Sequence, residues 1–405
     1  MAWNGPKWAT SWHNFVTDVT KDLAFPEKIQ IEDWTLEGDG EDMPGMVFTR
    51  NEREEIARAL DDIHVHRMNA GFITGLFPDD VEPTKAIVHL GLDAKVEVKV
   101  SVSKADIDLA LTTDVSEILM ELPSSDVWIE SINQTRSKVI ERSIEATTYA
   151  KEHGLRVTFG LQDATRADPE FVKQYTSALD TQAHADAICL ADSWAVASPE
   201  GFRHLVEMVK SLTKLPISIH CHNDFGLATA NALAGLSAGA SIVTTTVNGI
   251  GERCGLSSLE EVVLGLRMLY NIDTGIRYDR FCDLSKIVER ATGHVTSDLK
   301  PVVGKRAFAW ETDDFPQLLT NLQAKRHVKA VMPYEPDSVG NDFRYFPGRK
   351  TGELGVRWEA ERLGFKLTDQ QVQDVVLQSR ELSKAKRQPN REDFLTILAK
   401  ATRKA

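Results

Sequence analysis

Two histidines, His220 and His222, stand one residue apart at the end of an apolar segment that follows Pro216. Side chains alternate between the two faces of a β-strand, so both imidazoles point to one side and Cys221 points to the other. Neighbouring imidazoles are frequent ligands of divalent transition-metal ions. The alternative interpretation is two ordinary polar residues at a strand end, and the motif alone leaves both open.

An acidic segment could supply the carboxylate that such a metal site needs. Residues 33–42 contain five carboxylates among ten residues, interrupted by Gly38 and Gly40. One of these carboxylates and the two imidazoles would form a facial set of one oxygen and two nitrogen ligands, with coordination positions left open. This set suits Mg²⁺, Mn²⁺, Co²⁺ or Zn²⁺. As an isolated feature, an acidic run is more often a solvated turn.

Three other polar segments follow predicted strands. Residues 248–255 contain three glycines, which allow the backbone to approach a ligand closely, and they also contain Glu252 and Arg253. The other two segments are residues 162–166 and residues 192–193. Each of these two is, taken alone, more often a helix N-cap than a ligand-binding segment.

The elements between these segments place them at one end of a barrel. Strand-like and helical patterns alternate from residue 28 to residue 270 and form eight strand–helix units. This count predicts an α/β fold, a closed (β/α)8 TIM barrel, rather than an open sheet. Catalytic residues of such barrels lie at the C-terminal ends of the strands. His220 and His222 stand at the end of the seventh.

The chain is predicted to have three parts. Residues 1–27 form an N-terminal arm, residues 28–270 form the catalytic barrel, and residues 271–405 form a small, mainly helical C-terminal appendage. The predicted strands are residues 28–32, 68–72, 95–102, 117–122, 156–160, 187–191, 217–221 and 241–246.

Composition limits the classes of partner and the compartment. The net charge of −13 argues against a nucleic-acid or anionic-membrane surface. The four cysteines are scattered with no C-x-x-C motif, which fits a cytoplasmic location. We find no run of 18 apolar residues and therefore expect no membrane span. Three tryptophans, Trp3, Trp8 and Trp12, predict that the arm packs on this subunit or on a second one.

Over residues 28–405 the chain resembles the isopropylmalate, homocitrate and citramalate synthases, which are relatives of hydroxymethylglutaryl-CoA lyase. The segments that carry the resemblance are His-Cys-His-Asn-Asp-Phe-Gly-Leu at 220–227, Val-Asn-Gly-Ile-Gly-Glu-Arg at 247–253, Lys-Ala-Asp-Ile-Asp-Leu-Ala at 104–110 and Asp-Ala-Thr-Arg at 163–166. The family habit also suggests a homodimer.

The resemblance implies a function for several residues. Asp39, His220 and His222 would bind a divalent metal ion, which in this family chelates the carbonyl and carboxylate of a 2-oxo acid substrate. Acetyl-CoA then condenses onto the carbonyl, or the reverse cleavage occurs. Ser193 stands where relatives hold a threonine that contacts the oxo acid. Glu41 is predicted to be catalytic.

Several positions depart from the family pattern. The family's Leu-Arg-Asp-Gly-Glu is replaced here by Leu-Glu-Gly-Asp-Gly-Glu at residues 36–41, which has one extra residue and no arginine. Two family glutamates are replaced by Asn69 and Gln162, and the family's metal-binding asparagine is Leu256. A family histidine in the appended domain is replaced by Phe315.

The remaining predicted site residues compensate for these departures. Arg166 and Arg253 are the candidate replacements for the missing arginine. Asn69, Gln162 and Asn248 are predicted to bind substrate.

Two functions remain open. The first is a metal-dependent enzyme that forms or cleaves a carbon–carbon bond of a 2-oxo acid, either with an acyl-CoA or as a CoA-independent aldolase or lyase. The second is a catalytically inactive relative that acts as a partner protein.

Overall fold

The computed structural model describes residues 10–324, 332–384 and 391–403. The chain divides into two compact units, of which the first contains Trp12–Val295 and the second contains Thr296–Ala405. Trp3 and Trp8 lie outside the described residues, and Trp12 is 57% exposed. No helix in the described part of the chain is long and apolar enough to cross a membrane.

The first unit is built on a closed barrel of eight parallel strands in chain order, which confirms the predicted TIM barrel. The barrel closes between its first and last strands, where Asp33 pairs with Thr245. The strands are β1 Gln30–Asp33, β2 Arg67–Ile73, β3 Lys95–Val100, β4 Glu117–Pro123, β5 Arg156–Gln162, β6 Ala187–Asp192, β7 Ile217–Cys221 and β8 Ile242–Thr245.

Helices follow the strands and cover the outside of the barrel. The helices of the first unit are α1 Thr17–Thr20, α2 Arg50–Asp62, α3 Val81–Val88, α4 Lys104–Leu111, α5 Asp126–Ser131, α6 Arg136–Glu152, α7 Pro169–Thr181, α8 Pro199–Lys210, α9 Ala228–Ser237, α10 Leu259–Leu269 and α11 Phe281–Thr292. Sequence-encoded caps fix several of their starts. Ser198 accepts a hydrogen bond from the Gly201 N–H at 3.2 Å, as its sequence position before Pro199 predicts.

The barrel interior carries a buried charged layer near the N-terminal ends of the strands. Arg67 on β2 lies 2.9 Å from Glu97, 2.6 Å from Glu117 and 3.5 Å from Glu32. Burial and the neighbouring Glu32 raise the pKa of Glu97 well above its ordinary value. Three carboxylates therefore surround one guanidinium inside the barrel.

An apolar layer lies between this charged network and the top of the barrel. It consists of Trp34, Leu119 and Cys189, all less than 3% exposed. The Trp34 ring also packs against the His220 ring, with 4.7 Å between the ring centroids. This layer separates the buried charges below from the histidines above. None of the four cysteines, all of which lie in the described part of the chain, forms a disulfide bond, and Cys254 alone of them is exposed.

The second unit has its own hydrophobic core. Its elements are β9 Ala309–Trp310, α12 Asp314–Ala324, β10 Arg344–Tyr345, α13 Glu353–Arg362, α14 Asp369–Lys384 and α15 Arg391–Arg403. Phe315 is 1% exposed and stacks between Trp310 and Phe343, with ring-centroid distances of 4.4 and 4.8 Å. Phe315 is thus a core side chain of this unit. We propose that the barrel domain spans residues 28–270 and that the C-terminal appendage spans residues 271–405.

Candidate metal centre and active site

The two histidines converge at the C-terminal end of β7. His220 is 5% exposed and His222 is 4% exposed, and their Nε2 atoms lie 3.1 Å apart. The Thr244 hydroxyl donates to the Ile219 carbonyl oxygen at 3.2 Å, so it accepts from His220 Nδ1 at 2.9 Å. This assignment leaves the lone pair of His220 on Nε2, directed toward His222.

Burial keeps both imidazoles neutral. Burial lowers the pKa of His222 to about 4, with a further contribution from the positive charge of Arg253. Burial also holds the pKa of His220 well below its ordinary value, and His222 adds to that effect. A neutral imidazole is the form that binds metal ions. The pair is therefore in its ligating state at neutral pH.

Glu41 supplies the carboxylate nearest to the histidines. One ligand atom from each of Glu41, His220 and His222 lies within 4.8 Å of the others, and Glu41 Oε1 is 3.6 Å from His220 Nε2. Glu41 is 4% exposed, and its Oε2 has no hydrogen-bond partner among the residues described. Burial, together with Glu37, raises the pKa of Glu41 well above its ordinary value. A buried carboxylate oxygen without a partner beside two neutral imidazoles fits a divalent cation.

The structure corrects the predicted role of Asp39. Its carboxylate does not join the histidines but accepts from Arg53 Nη2 at 2.5 Å, and the same guanidinium contacts Asp80 at 2.7 Å. Arg53 is 2% exposed, so this ion pair fixes the orientation of Asp39. The carboxylate in place to bind a metal is Glu41, which the sequence predicted to be catalytic.

A left-handed turn explains why Glu41 replaces Asp39. Residues 38–42 all have positive φ, with values of 46, 55, 81, 50 and 55°. The Glu41 N–H donates to the Glu37 carbonyl oxygen at 2.6 Å and closes this turn. Non-glycine residues adopt this conformation at a cost, which tertiary contacts must offset. The two glycines ease the turn, which places the Glu41 carboxylate beside the histidines and the Asp39 carboxylate against Arg53.

The cluster lies in a cavity of about 220 Å³ at the C-terminal ends of the strands. Barrel enzymes carry their active sites at this end. The residues that line the cavity are Trp34, Glu41, Asp42, Lys99, Glu121, Trp128, Gln162, Ala191, Ser193, Trp194, His220, His222, Glu252 and Arg253.

Two predicted substrate-binding residues line this cavity. Ser193 accepts from the Asp163 N–H at 3.0 Å through its hydroxyl oxygen, which leaves the hydroxyl proton available. Gln162 donates to Glu121 Oε1 at 2.7 Å and is thereby oriented at the end of β5.

The two predicted substrate-binding asparagines lie elsewhere. Asn69 is fully buried on β2 and accepts from the Gly71 N–H of its own strand at 3.2 Å. The Asn248 side chain donates to the Ser285 carbonyl oxygen at 3.3 Å, while its backbone N–H donates to Glu260. Neither asparagine is among the residues that line the cavity.

The two arginines predicted to be catalytic are both engaged by carboxylates. Arg253 lines the cavity, but its guanidinium contacts Asp224 at 2.9 Å and Glu252 at 3.0 Å. Arg166 donates to both carboxylate oxygens of the buried Asp163, at 2.6 to 2.9 Å, and is not a lining residue. Both guanidiniums lie over the ring of Trp194, 5.0 and 5.5 Å from its centroid. Both arginines are therefore held by ion pairs and by the Trp194 ring at the edge of the site.

Sequence reasoning missed Lys99 and one of its partners, Glu121. Lys99 Nζ on β3 lies 3.1 Å from Glu121, 3.3 Å from Glu37 and 3.9 Å from Asp42. Burial would lower the pKa of Lys99, but these carboxylates outweigh it and raise that pKa well above the ordinary value. The available signal was the alternation Lys-Val-Glu-Val-Lys-Val at residues 95–100. Barrel strands are buried on both faces, so charges at every second position mark the interior.

The glycine-rich segment supports Glu41 from the other side. Gly251 has φ +148°, and a Cβ there would lie 2.4 Å from Leu256 Cδ1 and 3.1 Å from Glu41 Oε2. The Glu252 N–H also donates to the Glu41 carbonyl oxygen at 3.1 Å. The absence of a side chain at residue 251 therefore leaves room for the Glu41 carboxylate.

Replacement of Gly251 by alanine should displace Glu41 and weaken metal binding. We expect about a tenfold loss of Mn²⁺ affinity, the effect of disturbing a residue that supports a ligand, measured by isothermal titration. Gly275→Ala is the control, because Gly275 also has positive φ, +79°, but has nothing within 4 Å of the added Cβ. Equal Mn²⁺ affinity of the two variants would contradict this role of Gly251.

Comparison with known proteins identifies the family. The HMGL-like family model matches residues 28–288. The chain belongs to the HMGL-like family. The relatives reported below are named synthases and the solved structures are named lyases, and the resemblance read from the sequence is confirmed.

The relatives of this HMGL-like chain include synthases with three different names. A protein of Methanopyrus kandleri named probable 2-isopropylmalate synthase is 36% identical over 358 residues, which cover 88% of this chain and 70% of the relative. Homocitrate synthase AksA of Methanothermobacter thermautotrophicus is 34% identical over 372 residues, or 89% and 91% of the two chains. (R)-citramalate synthase CimA of Methanocaldococcus jannaschii is 34% identical over 379 residues, or 93% and 75%. These similar identities do not select one substrate.

Solved structures of similar fold include two proteins named as lyases. Hydroxymethylglutaryl-CoA lyase from Pseudomonas aeruginosa has a TM-score of 0.61 and 20% identity, and it covers 74% of this chain and 99% of its own. The Bacillus subtilis HMG-CoA lyase also has a TM-score of 0.61, with 17% identity and coverage of 68% and 97%. At these identities the comparison shows the shared barrel fold.

Proposed function

We propose that this HMGL-like chain is a divalent-metal-dependent enzyme that forms or cleaves a carbon–carbon bond next to the carbonyl of a 2-oxo acid. The observation that carries the proposal is the convergence of Glu41, His220 and His222 in the cavity at the C-terminal end of the barrel. Two neutral imidazoles and one carboxylate suit Mg²⁺, Mn²⁺, Co²⁺ or Zn²⁺.

The bound ion would act as a Lewis acid that polarises the carbonyl oxygen of the substrate. The protein side chains orient the substrate around it. Ser193 can donate its hydroxyl proton to the oxo acid, and Trp128 and Trp194 form an aromatic wall, with ring centroids 6.0 Å apart. Trp34 closes the floor beneath His220 and excludes water from that side.

We propose an acyl-CoA condensation as the first form of this reaction. The relatives at about 35% identity are named 2-isopropylmalate, homocitrate and citramalate synthases, which supports a synthase. A second form, a CoA-independent aldol cleavage, is favoured by one observation. Both candidate arginines are already bound to carboxylates, so they are poorly placed to stabilise an additional anionic co-substrate.

A thiol-release assay separates these forms. Purified protein with added Mn²⁺ is incubated with acetyl-CoA and a panel of 2-oxo acids, and free CoA is measured with a thiol reagent. Condensation predicts oxo-acid-dependent thiol release that EDTA abolishes and excess Mn²⁺ restores. Aldol cleavage predicts instead that 4-hydroxy-2-oxo acids yield pyruvate without CoA, again only with metal. Turnover that is unaffected by EDTA would contradict the proposal.

The inactive-partner hypothesis has its own outcome in the same assay. It predicts about one bound divalent ion per chain but no turnover with any member of the panel.

The homodimer is also a proposal, and size-exclusion chromatography with light scattering tests it. A cytoplasmic location is proposed from the four scattered cysteines, none of which forms a disulfide bond.

A further inference from the structure

A buried carboxylate pairs with a lysine of the cavity that contains the two histidines. This carboxylate belongs to Glu37, which is fully buried. Its carboxylate has no hydrogen-bond donor within the described part of the chain, but Lys99 Nζ lies 3.3 Å from Glu37 Oε1. The ammonium from β3 is therefore the cation that faces this buried carboxylate.

Lys99 is better placed than Arg166 or Arg253 to donate a hydrogen bond to a substrate oxygen. Its side chain is 13% exposed and lines the same cavity as His220 and His222. Two carboxylates form close ion pairs with its ammonium, Glu121 at 3.1 Å and Glu37 at 3.3 Å from Nζ. The remaining carboxylate contact, Asp42 at 3.9 Å, is longer than a hydrogen bond. One N–H direction of the ammonium is thus not committed to a short contact.

We propose that Lys99 is a catalytic residue, the cation that acts beside the histidine pair in this cavity. Its ammonium donates a hydrogen bond to the substrate oxygen that gains negative charge, and this role rests on the proposed function. In the condensation, the electron pair of the nucleophilic carbon forms the new bond and the carbonyl π pair moves to the oxygen. Lys99 keeps its proton and forms no covalent bond. Cleavage runs through the same charge distribution in reverse.

The surrounding carboxylates give Lys99 its fixed position. Glu37 approaches from the segment after β1 and Glu121 from β4, so the ammonium is held between two elements rather than in solvent. Phe72 lies beneath it, with the ring centroid 5.4 Å from Nζ. A donor that is held in place before the reaction stabilises developing charge without reorganisation.

Replacement of Lys99 should affect charge stabilisation more than metal binding. We expect Lys99→Met to keep about one Mn²⁺ per chain but to lower kcat by about 100- to 1000-fold, the loss that follows removal of one oxyanion donor. Lys99→Arg should recover part of the activity. Lys85→Met is the matched control, because Lys85 Nζ pairs with Asp114 on the outside of the barrel at 3.7 Å and lies outside the cavity.

A double variant separates catalysis from simple charge compensation. Lys99→Met leaves Glu37 buried without its counter-ion, whereas Lys99→Met/Glu37→Gln removes both charges and restores the balance. If Lys99 is catalytic, the double variant folds as the wild type does and remains as slow as the single variant. Recovery of wild-type kcat in the double variant would overturn the proposal.

A binding measurement decides the question without turnover. Trp34, Trp128 and Trp194 line the cavity, so tryptophan fluorescence reports ligand binding to the Mn²⁺-loaded protein. Oxalate resembles the charge-rich state, and 2-oxobutanoate resembles the substrate. We expect the double variant to lose oxalate affinity at least about tenfold more than 2-oxobutanoate affinity, and equal losses would overturn the role of Lys99. A wild type that binds neither metal nor oxo acid would instead refute the proposed function.

Discussion

Protein in which both His220 and His222 are changed to alanine is expected to lose its divalent metal and its activity. The wild type should hold about one ion per chain, and the double variant should hold less than a tenth of that, because two of three protein ligands are gone. Both side chains are buried in the cavity, and their Nε2 atoms face each other at 3.1 Å. Elemental analysis after dialysis against a metal buffer measures the stoichiometry.

Separate substitutions of Glu41 and Asp39 test which of the two carboxylates binds the metal ion. Glu41→Gln should weaken Mn²⁺ binding strongly, about 10- to 100-fold or more, because it removes the charged ligand beside the histidines. Asp39→Asn should retain the metal, since Asp39 contacts Arg53 and Asp80 shares the same guanidinium. His89→Ala is a surface control, because His89 pairs with Asp114 outside the barrel. Loss of metal in Asp39→Asn with retention in Glu41→Gln would refute this assignment.

The second large effect concerns the charged layer inside the barrel. Arg67→Met should destabilise the protein by about 3–5 kcal/mol, because it leaves buried carboxylates without their counter-ion. Arg67 contacts Glu97 and Glu117 at 2.9 and 2.6 Å, and its side chain is only 6% exposed. Urea denaturation followed by circular dichroism measures the change in the free energy of unfolding.

Arg156→Met provides the matched control for this prediction. Arg156 also pairs with Glu117, at 3.6 Å, but its side chain is 57% exposed. A solvent-exposed ion pair contributes at most about 1 kcal/mol, so this variant should unfold at nearly the wild-type urea concentration. Equal destabilisation by the two substitutions would show that the interior network has no special importance.

Local sequence patterns predicted the barrel well because each strand and helix carries its own signals. The alternation of eight strand–helix units required the observed topology, and Ser198 before Pro199 marked the start of α8. The boundaries of individual strands shifted by one or two residues, as with β1, which begins at Gln30. The short helix α5 has no recognisable sequence signal, because its six residues are too few for a periodic pattern.

The relative positions of the candidate site residues were most predictable where a single strand carries them. His220 and His222 belong to the same strand end, and strand geometry alone places their side chains on one face. Ser193 and Gln162 also follow directly from strand ends, and both line the cavity. Asn248, in contrast, has left-handed backbone with φ 63°, which turns its side chain toward Ser285.

The sequence by itself determined the barrel, the family and the paired imidazoles, because these depend on local periodicity and on contiguous motifs. Only the tertiary structure decided which carboxylate and which cation join them. The carboxylate is Glu41 because residues 38–42 form a left-handed turn, and Arg53 on another element binds Asp39. Lys99 lies beside Glu37 and Glu121 because closure of the barrel brings the ends of separate strands together. Such contacts between distant residues have no signature in the local sequence.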